Sequence, residues 1–535
     1  MRDFGTLNWT ILVVYILLNL LLGWVLSKRV ATADDFYLGR RTTPWWAIGI
    51  SVIATYVSAL SFLGGPAWAY SDGLAVIAIH LNYPIVIFFV ITFLLPFFFN
   101  SGVPSIYEYM ERRFGPTSRI VISGIFLVSQ AITSAAILYG TSLVISFITG
   151  IDVRVAIVIV TVVALIYTMM GGITAVIWTD VIQAAVLIVG ATIIFFALLD
   201  NMPAPIGEVL SGLKEQGRLN PLDVSLDVTK VATVWSGIIA MSIFHITVYG
   251  ANQMMVQRTL AAKNIGDAKK SFLMMGFAAF FIYFLFFLLG VLFYAYYGGR
   301  EFEESNTIIL NFATDYGLPG LMGIIAAAIV AASMSSLDSS FNSLATVSVV
   351  DFYQRYFKKD ETPEHYLTVS RGFTVFWAVV IIVPAILFAQ TEGSILETLS
   401  KIGSFFVGAK LSMYGLGIFS KQTTEKGLLV GVVVGFLMIA YLDLGTEVAW
   451  PWYCLFGGAV NIVVSLIASR LIDGPQDEWS EYTVKGQQQK FRDEGLPEKE
   501  GKWFLVPGKV DRVSWLLLVF FGATVAFLYI FYAIV

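Results

Sequence analysis

A cluster of polar residues interrupts an apolar stretch beyond the middle of the chain. Residues 331–343 read AASMSSLDSSFNS and contain six serines, one aspartate and one asparagine. Hydroxyl and carboxylate groups are costly in a hydrocarbon environment unless they face a partner, water or an ion. Because these groups offer hard oxygen atoms, the cluster predicts a binding site for a small hard cation such as sodium.

A second stretch offers partners for this cluster. Residues 51–66 mix hydroxyl-bearing and β-branched residues with two glycines and a proline, which predicts an interrupted helix. Backbone carbonyls freed at such a break must bind protein, water or an ion. We expect a principal sodium site whose five oxygen donors come from Ala54, Val57, Ala332, Ser335 and Ser336. The alternative is that the serines bond only to backbone carbonyls one helical turn earlier.

Asp180 is a second unusual acid, at the end of the sequence GGITAVIWTD that begins at Gly171. One interpretation is a helix-start carboxylate close to the membrane interface. The other is a second cation site, which Asp180 would share with Ser335, Asp338 and Ser339. Asp338 and Ser339 follow Ser335 by three and four residues, so these side chains share one helical face. Both interpretations stay open from the sequence alone.

Two of the three histidines, His80 and His245, fall inside predicted membrane spans. Each could be an ordinary core histidine, but both together near the candidate cation site suggest hydrogen bonding to a solute. Lys410 also falls inside a span. Because that span ends near Ser420, we expect the Lys410 side chain to extend to the inner membrane interface.

The composition is that of a membrane protein. Hydrophobic residues make up 57% and charged residues 13% of the chain, and the mean hydropathy is +0.79. Soluble domains carry about 25% charged residues. The single cysteine, Cys454, excludes an internal disulfide framework and gives no metal site.

We predict an all-α integral membrane protein, with spans near the ~20 residues that cross a bilayer. The 14 predicted spans are 7–27, 44–71, 74–100, 119–148, 152–170, 175–200, 231–255, 268–298, 318–350, 366–390, 393–418, 426–445, 448–470 and 513–534. Basic loops recur on alternate sides, at 28–41, 111–119, 258–270, 355–359 and 470–512. By the positive-inside rule these loops are cytoplasmic, and both termini lie outside.

Spans two and seven are both polar and open two successive five-helix sets. Interrupted helices at matching positions in two halves predict an inverted-repeat transporter with a central binding site. We therefore divide the chain into a first helix with its loop (1–43), a ten-helix core with halves 44–200 and 231–420, and three peripheral helices (421–535). The last of these regions contains a charged cytoplasmic linker at 471–512, and residues 480–502 and 352–359 are expected to be solvated loops.

Several function classes find no support in the sequence. There is no GxxxxGK[ST] loop for nucleotide-driven pumping, and no HExxH helix or nucleophile elbow. The soluble segments are too short for a catalytic domain, so we do not expect an enzyme. A membrane sensor would need a signalling domain, for which the segment after Arg470 is too short.

Four stretches resemble the sodium/solute symporter family, which includes sodium/sugar, sialic-acid, proline and monocarboxylate cotransporters. They are ADDFYLG from Ala33, GGITAVIWTDVIQ from Gly171, NQMMVQRTLAAK from Asn252, and the serine cluster. The resemblance implies a LeuT-like core of five plus five inverted-repeat helices that works by alternating access. It also implies one or two bound sodium ions, at the two cation sites described above.

The resemblance further implies a solute pocket, formed by Ser58, Ser61, His80, Gln130, Thr133, His245 and Tyr249. Asp338 stands where sialic-acid transporters look to have serine, which leaves the sodium stoichiometry open. Thr133 stands where those transporters look to have an arginine for the substrate carboxylate. His80 replaces an acid of the sugar carriers. The pocket therefore fits a sugar or a small carboxylate about equally.

We expect a sodium-coupled symporter that imports a small polar organic solute. The alternatives are a proton-coupled carrier of the same fold, because His80, His245 and Asp338 can all titrate, and a passive solute channel. The expected partners are the solute, sodium and the lipid bilayer, without nucleic acid. We expect the protein to work as a monomer in the plasma membrane, the inner membrane if the source is bacterial.

Overall fold

The fold is known here from a computed structural model. The structure describes residues 4–27, 42–57, 59–103, 105–168, 173–317, 319–390 and 393–535. Ser58, the stretch ADDFYLG and the pair at 171–172 lie outside the described residues, as does the side chain of Ser335. The sequence-based statements about these positions remain predictions.

Helices make up nearly all of the first half. They are α1 (Thr6–Ser27), α2 (Trp45–Tyr56), α3 (Ala59–Asp72), a 3₁₀ helix (Leu74–His80), α4 (Tyr83–Phe89), a π turn (Val90–Leu94), α5 (Leu95–Asn100), α6 (Ile106–Arg113), α7 (Pro116–Thr149), α8 (Val153–Thr168), α9 (Ile173–Asp200) and α10 (Ile206–Glu215). α4, the π turn and α5 run on as one long apolar helix with the preceding 3₁₀ helix.

The second half and the C-terminal region follow the same pattern. They contain a π turn (Ser236–Ala240), α11 (Met241–Gly250), α12 (Gln253–Leu260), α13 (Ile265–Tyr296), a 3₁₀ turn (Ser305–Thr307), α14 (Ile308–Tyr316), α15 (Leu321–Val347), a π turn (Ser348–Tyr353), α16 (Gln354–Tyr356), α17 (Pro363–Val380), α18 (Ile382–Phe388), α19 (Ile395–Phe419), α20 (Glu425–Gly445), α21 (Pro451–Ile472), α22 (Val484–Asp493), a two-stranded hairpin of β1 (Lys499–Glu500) and β2 (Trp503–Phe504), a 3₁₀ turn (Arg512–Ser514) and α23 (Trp515–Ile534).

The helices agree with the predicted spans in position. Within the described residues, ten helices are long and apolar enough to cross a membrane, and the bent pair α2–α3 is an eleventh candidate. Three shorter apolar helices match the remaining predicted spans, at Thr6–Leu22, Val153–Ile166 and Ser236–Gly250. Each predicted span therefore overlaps a helix, while the total of 14 stays a prediction.

Two of the helices are interrupted where the sequence predicted breaks. α2 and α3 meet at an angle of 51°, and Val57 leaves the helical region with φ −82° and ψ 77°. In the second half, α11 ends at Ala251, where φ is −132° and ψ is 41°, before α12 starts. The matching breaks confirm that the second and seventh spans are discontinuous, as expected at the binding site of an inverted-repeat transporter.

The serine-rich helix α15 lies at the centre of the molecule, against α1, α7, α9 and α17. Every described side chain from Ala331 to Ser343 is buried or nearly so. Because neighbouring helices rather than lipid surround this stretch, its polar groups meet protein partners and avoid the cost of exposure to hydrocarbon.

The charged linker between α21 and α23 is folded, so the prediction of a solvated loop is wrong for its central part. α22 and the β1–β2 hairpin pack under the core on the side that carries the basic loops, here called the basic-loop side. The Gln487 amide donates to the Phe97 carbonyl at 3.1 Å, and the Gly508 amide donates to the Thr92 carbonyl at 2.8 Å. Pro96 has no N–H to donate to the carbonyl four residues earlier, so the Thr92 carbonyl is available to the linker.

A buried ion pair fixes the same linker to α13. Lys269 Nζ lies 2.6 Å from the Asp511 carboxylate, with side-chain exposures of 0% and 3%. Lys269 also donates to the Phe504 carbonyl at 2.8 Å. The predicted basic loop 258–270 overlaps the predicted span 268–298 at Lys269, and the structure places this residue in the helix, where it holds the linker. Residues 352–356 are likewise helical rather than a loop.

Candidate functional site

The break between α2 and α3 faces the serine-rich helix. Ala54, Val57 and Ala332 line one cavity of about 370 Å³ together with residues of α9. Carbonyl groups at a helix end lack intrahelical N–H partners. The rest of the described lining is apolar except for Gln183. The cavity therefore places the break beside α15, and the carbonyls freed at the break are the candidate donors for a small hard cation.

The serines of α15 also bond to their own helix. Ser336 Oγ donates to the Ala332 carbonyl at 3.1 Å, and Ser333 and Ser340 donate in the same way to the carbonyls of Ile329 and Ser336. The alternative of back-bonded serines is thus confirmed for these three. A hydroxyl that donates its hydrogen keeps two lone pairs. Back-bonding therefore leaves the Ser336 oxygen able to act as a ligand.

Asp180 lies in a fully buried polar cluster between four helices. Its carboxylate accepts a short hydrogen bond from Ser51 Oγ of α2 and lies 3.3 Å from Arg258 Nη2 of α12. The same Arg258 nitrogen lies 3.4 Å from Ser339 Oγ of α15, and Arg258 Nε donates to Ser51 at 2.9 Å. The guanidinium therefore stands between two residues of the predicted second sodium site.

Arg258 was predicted in a cytoplasmic loop, and the assignment to a loop is wrong. The residue belongs to the buried helix α12 and is 1% exposed. Its charge is needed there, because an unpaired carboxylate at Asp180 would carry a large desolvation cost. The interpretation of Asp180 as an interfacial helix-start carboxylate is also wrong, because its side chain is 0% exposed.

Asp338 adds a second carboxylate to this cluster. It is 3% exposed, lies within hydrogen-bonding reach of the Thr168 hydroxyl, and interacts with the charges of both Asp180 and Arg258. Arg258 pairs directly with Asp180, and Asp338 feels its charge only from a longer distance. This excess of negative charge favours a further cation close to Asp180 and Asp338.

Several predicted solute-site residues come together in an aromatic and imidazole cluster. The rings of His80 and His245 lie 5.8 Å apart between centroids. His80 stacks on Tyr283 at 3.8 Å, and Tyr249 lies 6.1 Å from His245. Ser61 Oγ lies 3.3 Å from the Tyr283 hydroxyl. Ser61, His80, His245 and Tyr249 therefore form one group, with Tyr283 as an additional member.

The hydrogen bonds in this cluster fix the protonation pattern of His245. Asn82 Nδ2 donates to the carbonyls of Gly237 and Ile79 at 2.8 and 3.2 Å. The Asn82 Oδ1 atom must therefore accept, and it lies 2.7 Å from His245 Nδ1. In a neutral imidazole this places the hydrogen on Nδ1 and leaves Nε2 as an acceptor. His80 Nδ1 bonds to the Tyr83 hydroxyl at 2.8 Å.

Gln130 and Thr133 form a separate group on α7. Gln130 Nε2 donates to Ser340 Oγ at 2.8 Å, and Thr133 Oγ1 donates to the Ser129 carbonyl. Ser129 Oγ in turn accepts a hydrogen bond of 2.6 Å from Lys410 Nζ. The prediction that Lys410 extends to the membrane interface is wrong, since its ammonium bonds to a neighbouring helix inside the span.

Four residues of these clusters were missed from the sequence. Tyr83 and Tyr283 look like ordinary aromatic residues in apolar runs, and no sequence signal separates them from core packing. Asn82 had a signal, because an asparagine two residues after His80 in an apolar span needs a partner. Arg258 also had one, because it lies in the stretch NQMMVQRTLAAK, which overlaps the end of the polar seventh span.

This architecture defines an α-helical membrane transporter with a LeuT-like fold. The family model described as the sodium:solute symporter family matches residues 36–435. The chain belongs to the sodium:solute symporter family. Sodium is therefore the coupling ion of this protein, and the protein is a transporter rather than an enzyme.

Similar proteins include transporters of different solutes. The chain is 30% identical over 479 residues to the sodium/sialic acid symporter SiaT of Proteus mirabilis, covering 88% of this chain and 96% of that protein. It is 28% identical over 432 residues to human sodium-coupled monocarboxylate transporter 1, covering 78% of this chain and 70% of that protein. It is also 28% identical over 452 residues to the sodium/glucose cotransporter of Vibrio parahaemolyticus, covering 78% of this chain and 81% of that protein.

Solved structures support the same fold. The chain is similar to a sodium-coupled sialic acid symporter in a substrate-bound outward-open state, with a TM-score of 0.81 and 30% identity, over 89% of this chain and all of that one. A nucleobase-cation-symport-1 family transporter, Mhp1, shares the fold alone, with a TM-score of 0.54 and 14% identity over 85% and 98% of the chains.

Proposed function

We propose that this protein uses a sodium gradient to import a small polar organic solute by alternating access. The observation that carries this proposal is the break between α2 and α3 at Val57, which faces Ala332 of the serine-rich helix α15. Sodium bound there would hold the two helix segments in one arrangement. An ordered break completes the neighbouring solute site, so sodium and solute would bind with positive coupling.

The principal sodium site is formed by Ala54, Val57, Ala332, Ser335 and Ser336. A second ion binds near Asp180, Asp338 and Ser339, with Ser335 as its fourth predicted ligand. Support for the second ion comes from the two buried carboxylates, of which Asp180 pairs directly with Arg258 and Asp338 feels its charge only from a longer distance. Arg258 then acts as a tethered cation, which neutralises Asp180 whenever the mobile sodium ion is absent.

The solute binds in the group formed by Ser61, His80, His245 and Tyr249, with Ser58, Gln130 and Thr133 as further predicted contacts. The acceptor nitrogen of His245 and the hydroxyls of Tyr83 and Tyr283 suit a polar solute. The protein works as a monomer in a bacterial inner membrane, and the basic-loop side is the cytoplasmic side. Positive residues such as Arg112, Arg113 and Arg355 on that side support this orientation.

Uptake into proteoliposomes tests this function. The full-length protein would be reconstituted and screened with radiolabelled sugars, sialic acids and short carboxylates, with an inward sodium gradient, an inward proton gradient, or neither. We expect at least one solute to accumulate above its external concentration only with the sodium gradient. Accumulation driven by protons alone, or equilibration without accumulation, would reject sodium symport in favour of a proton-coupled carrier or a channel.

A further inference from the structure

Lys410 is a cation inside the membrane region without an anionic partner among the described residues. Its Nζ makes one hydrogen bond, to Ser129 Oγ at 2.6 Å, and lies 5.8 Å above the Phe126 ring. An ammonium group has three hydrogens to donate, so two lack a described acceptor. An unpaired charge at this depth is costly, and such residues usually mark a binding site or a transport path.

Two phenols beside Lys410 also lack acceptors. Tyr414 lies one helical turn from Lys410 on the same face of α19, and Tyr107 lies 5.5 Å from Phe126 between ring centroids. The hydroxyls of both tyrosines are buried, and neither has a hydrogen-bond partner among the described residues. Tyr107 and Tyr414 are close enough to interact electrostatically. The group therefore contains four donor hydrogens, two on Lys410 and one on each phenol, and lacks acceptors for them.

The acid near this group is already occupied. Asp351 interacts with both phenols, but Arg119 holds its carboxylate at 2.5 Å. Asp351 thus satisfies none of the hydroxyls. Donor-rich surroundings with one fixed positive charge suit an anion, and a carboxylate accepts up to four hydrogen bonds.

One member of the group, Tyr414, lies beside the helix that carries His245 of the predicted solute site. Tyr414 lines a cavity of about 380 Å³ together with Ile243, Ile246 and Thr247 of α11, the helix that carries His245. The cavity extends to Ser420 at the basic-loop end of α19. Ser129, which bonds to Lys410, is adjacent in sequence to Gln130 of the predicted solute site.

We propose that Lys410, Tyr107 and Tyr414 form a carboxylate-binding station between the solute site and the basic-loop side, and that the transported solute is a small carboxylate. This inference rests on the proposed solute transport and narrows the solute to one chemical class. It assigns Lys410 the counter-charge that is missing at Thr133. The aromatic and imidazole cluster would bind the neutral part of the solute.

The test compares acids with neutral molecules of the same shape. Binding of galacturonate and galactose, and of lactate and propane-1,2-diol, would be measured by calorimetry on the full-length purified protein at constant saturating sodium chloride. We expect at least one acid to bind tenfold or more tightly than its neutral partner. Equal binding within both pairs, or no binding by either acid, would overturn the proposal.

Variants test whether Lys410 and the two phenols cause the preference for the acid. K410Q should remove the preference for the acid, K410R should retain it, and K401Q should not change it, because Lys401 on the same helix pairs with Asp443 near the surface. Y414F and Y107F each remove one hydroxyl and should weaken the binding of the acid about threefold to tenfold. These two variants still test the proposal if K410Q fails to fold. An unchanged preference in folded K410Q or in both tyrosine variants would contradict the proposal. These binding measurements do not test sodium coupling, because the sodium concentration is the same in all of them.

Discussion

The guanidinium of Arg258 and the carboxylate of Asp180 form a buried ion pair at 3.3 Å that joins the two predicted halves of the transport core. Ser51 and Ser339 bond to the same guanidinium, so the contact links α2, α9, α12 and α15. Separation of these helices on the basic-loop side would require the ion pair to break. We therefore interpret it as a closed gate on that side, whose opening costs the pairing energy of the two charges less the hydration that they regain.

Arg258 substitution should make the protein dependent on sodium for its stability. R258Q leaves Asp180 without its buried counter-charge, which costs about 3–5 kcal/mol in the free energy of unfolding without sodium. High sodium should recover much of this loss in R258Q, because the mobile cation replaces the fixed one. R112Q is the control, since Arg112 is 40% exposed in its pair with Glu108. Thermal unfolding with and without sodium measures both, and an R258Q variant that is indifferent to sodium would contradict a shared cation site.

The same pair is suited to a double-mutant cycle. In the R258Q background, the further substitution D180N removes a charge that already lacks its partner. We expect the double variant R258Q/D180N to lose about 2–3 kcal/mol less than the sum of the single variants. Denaturant unfolding in one detergent would provide the four free energies. Additive losses would show that the two side chains do not act as a pair.

Ser336 and Ser333 provide a matched comparison for the principal sodium site. Both hydroxyls back-bond within α15, but only Ser336 belongs to the proposed site. S336A should raise the sodium concentration for half-maximal uptake about threefold to tenfold, the effect of a ligand worth about 1 kcal/mol. S333A removes the same kind of hydroxyl and should leave this concentration unchanged. Equal shifts in both variants would point to loss of helix packing rather than of a ligand.

His80 should contribute to solute binding through its ring nitrogens. H80F keeps an aromatic ring stacked on Tyr283 but removes the hydrogen bond to Tyr83. We expect solute affinity to fall about tenfold, the equivalent of ~1.4 kcal/mol, with sodium binding in the absence of solute unchanged. H365F is the control, because His365 bonds to Tyr353 away from this cluster. Undiminished solute affinity in H80F would place the solute elsewhere.

Glu111, on the basic-loop side, contributes to the stability of the folded protein, and this contribution depends on pH. Hydrogen bonds from Arg355, assisted by Arg119, lower the pKa of Glu111 from its ordinary 4.5 to about 2. A lowered folded-state pKa adds stability above pH 4.5, and this stability is lost as the pH falls from 4.5 towards 2. E111Q should therefore be less stable than the parent at pH 7, by about 1 kcal/mol for a partly exposed pair. Unfolding at pH 7, 4 and 3 should show the difference shrinking, and a constant difference would contradict the assignment.

Much of the fold follows from local sequence patterns. Apolar runs of membrane-spanning length predicted the positions of the long apolar helices, and the polar character of the second and seventh spans predicted that both are interrupted. The linker could not be predicted in this way. Lys269 and Asp511 are 242 residues apart, and each looks like a solvated charge until the packing of α13 against the linker buries both.

The candidate sites divide in a similar way. Asp338 and the serines could be recognised because polar groups crowd into one apolar helix. The position of Arg258 beside Asp180 could not be predicted, because its neighbours in sequence resemble a basic loop. Only the tertiary packing of α12 buries this residue in the core. Lys410 shows the same limit, because a lysine near the end of a span usually reaches the interface, whereas here its ammonium bonds to Ser129 of a neighbouring helix.

The most direct test of sodium-coupled symport is the reciprocity of binding. Solute affinity would be measured on the purified full-length protein without sodium and with saturating sodium, and sodium affinity without and with saturating solute. Sodium-coupled symport predicts that each ligand tightens the other by the same factor, tenfold or more, because the coupling free energy is shared. A solute affinity that does not depend on sodium would contradict the proposed mechanism.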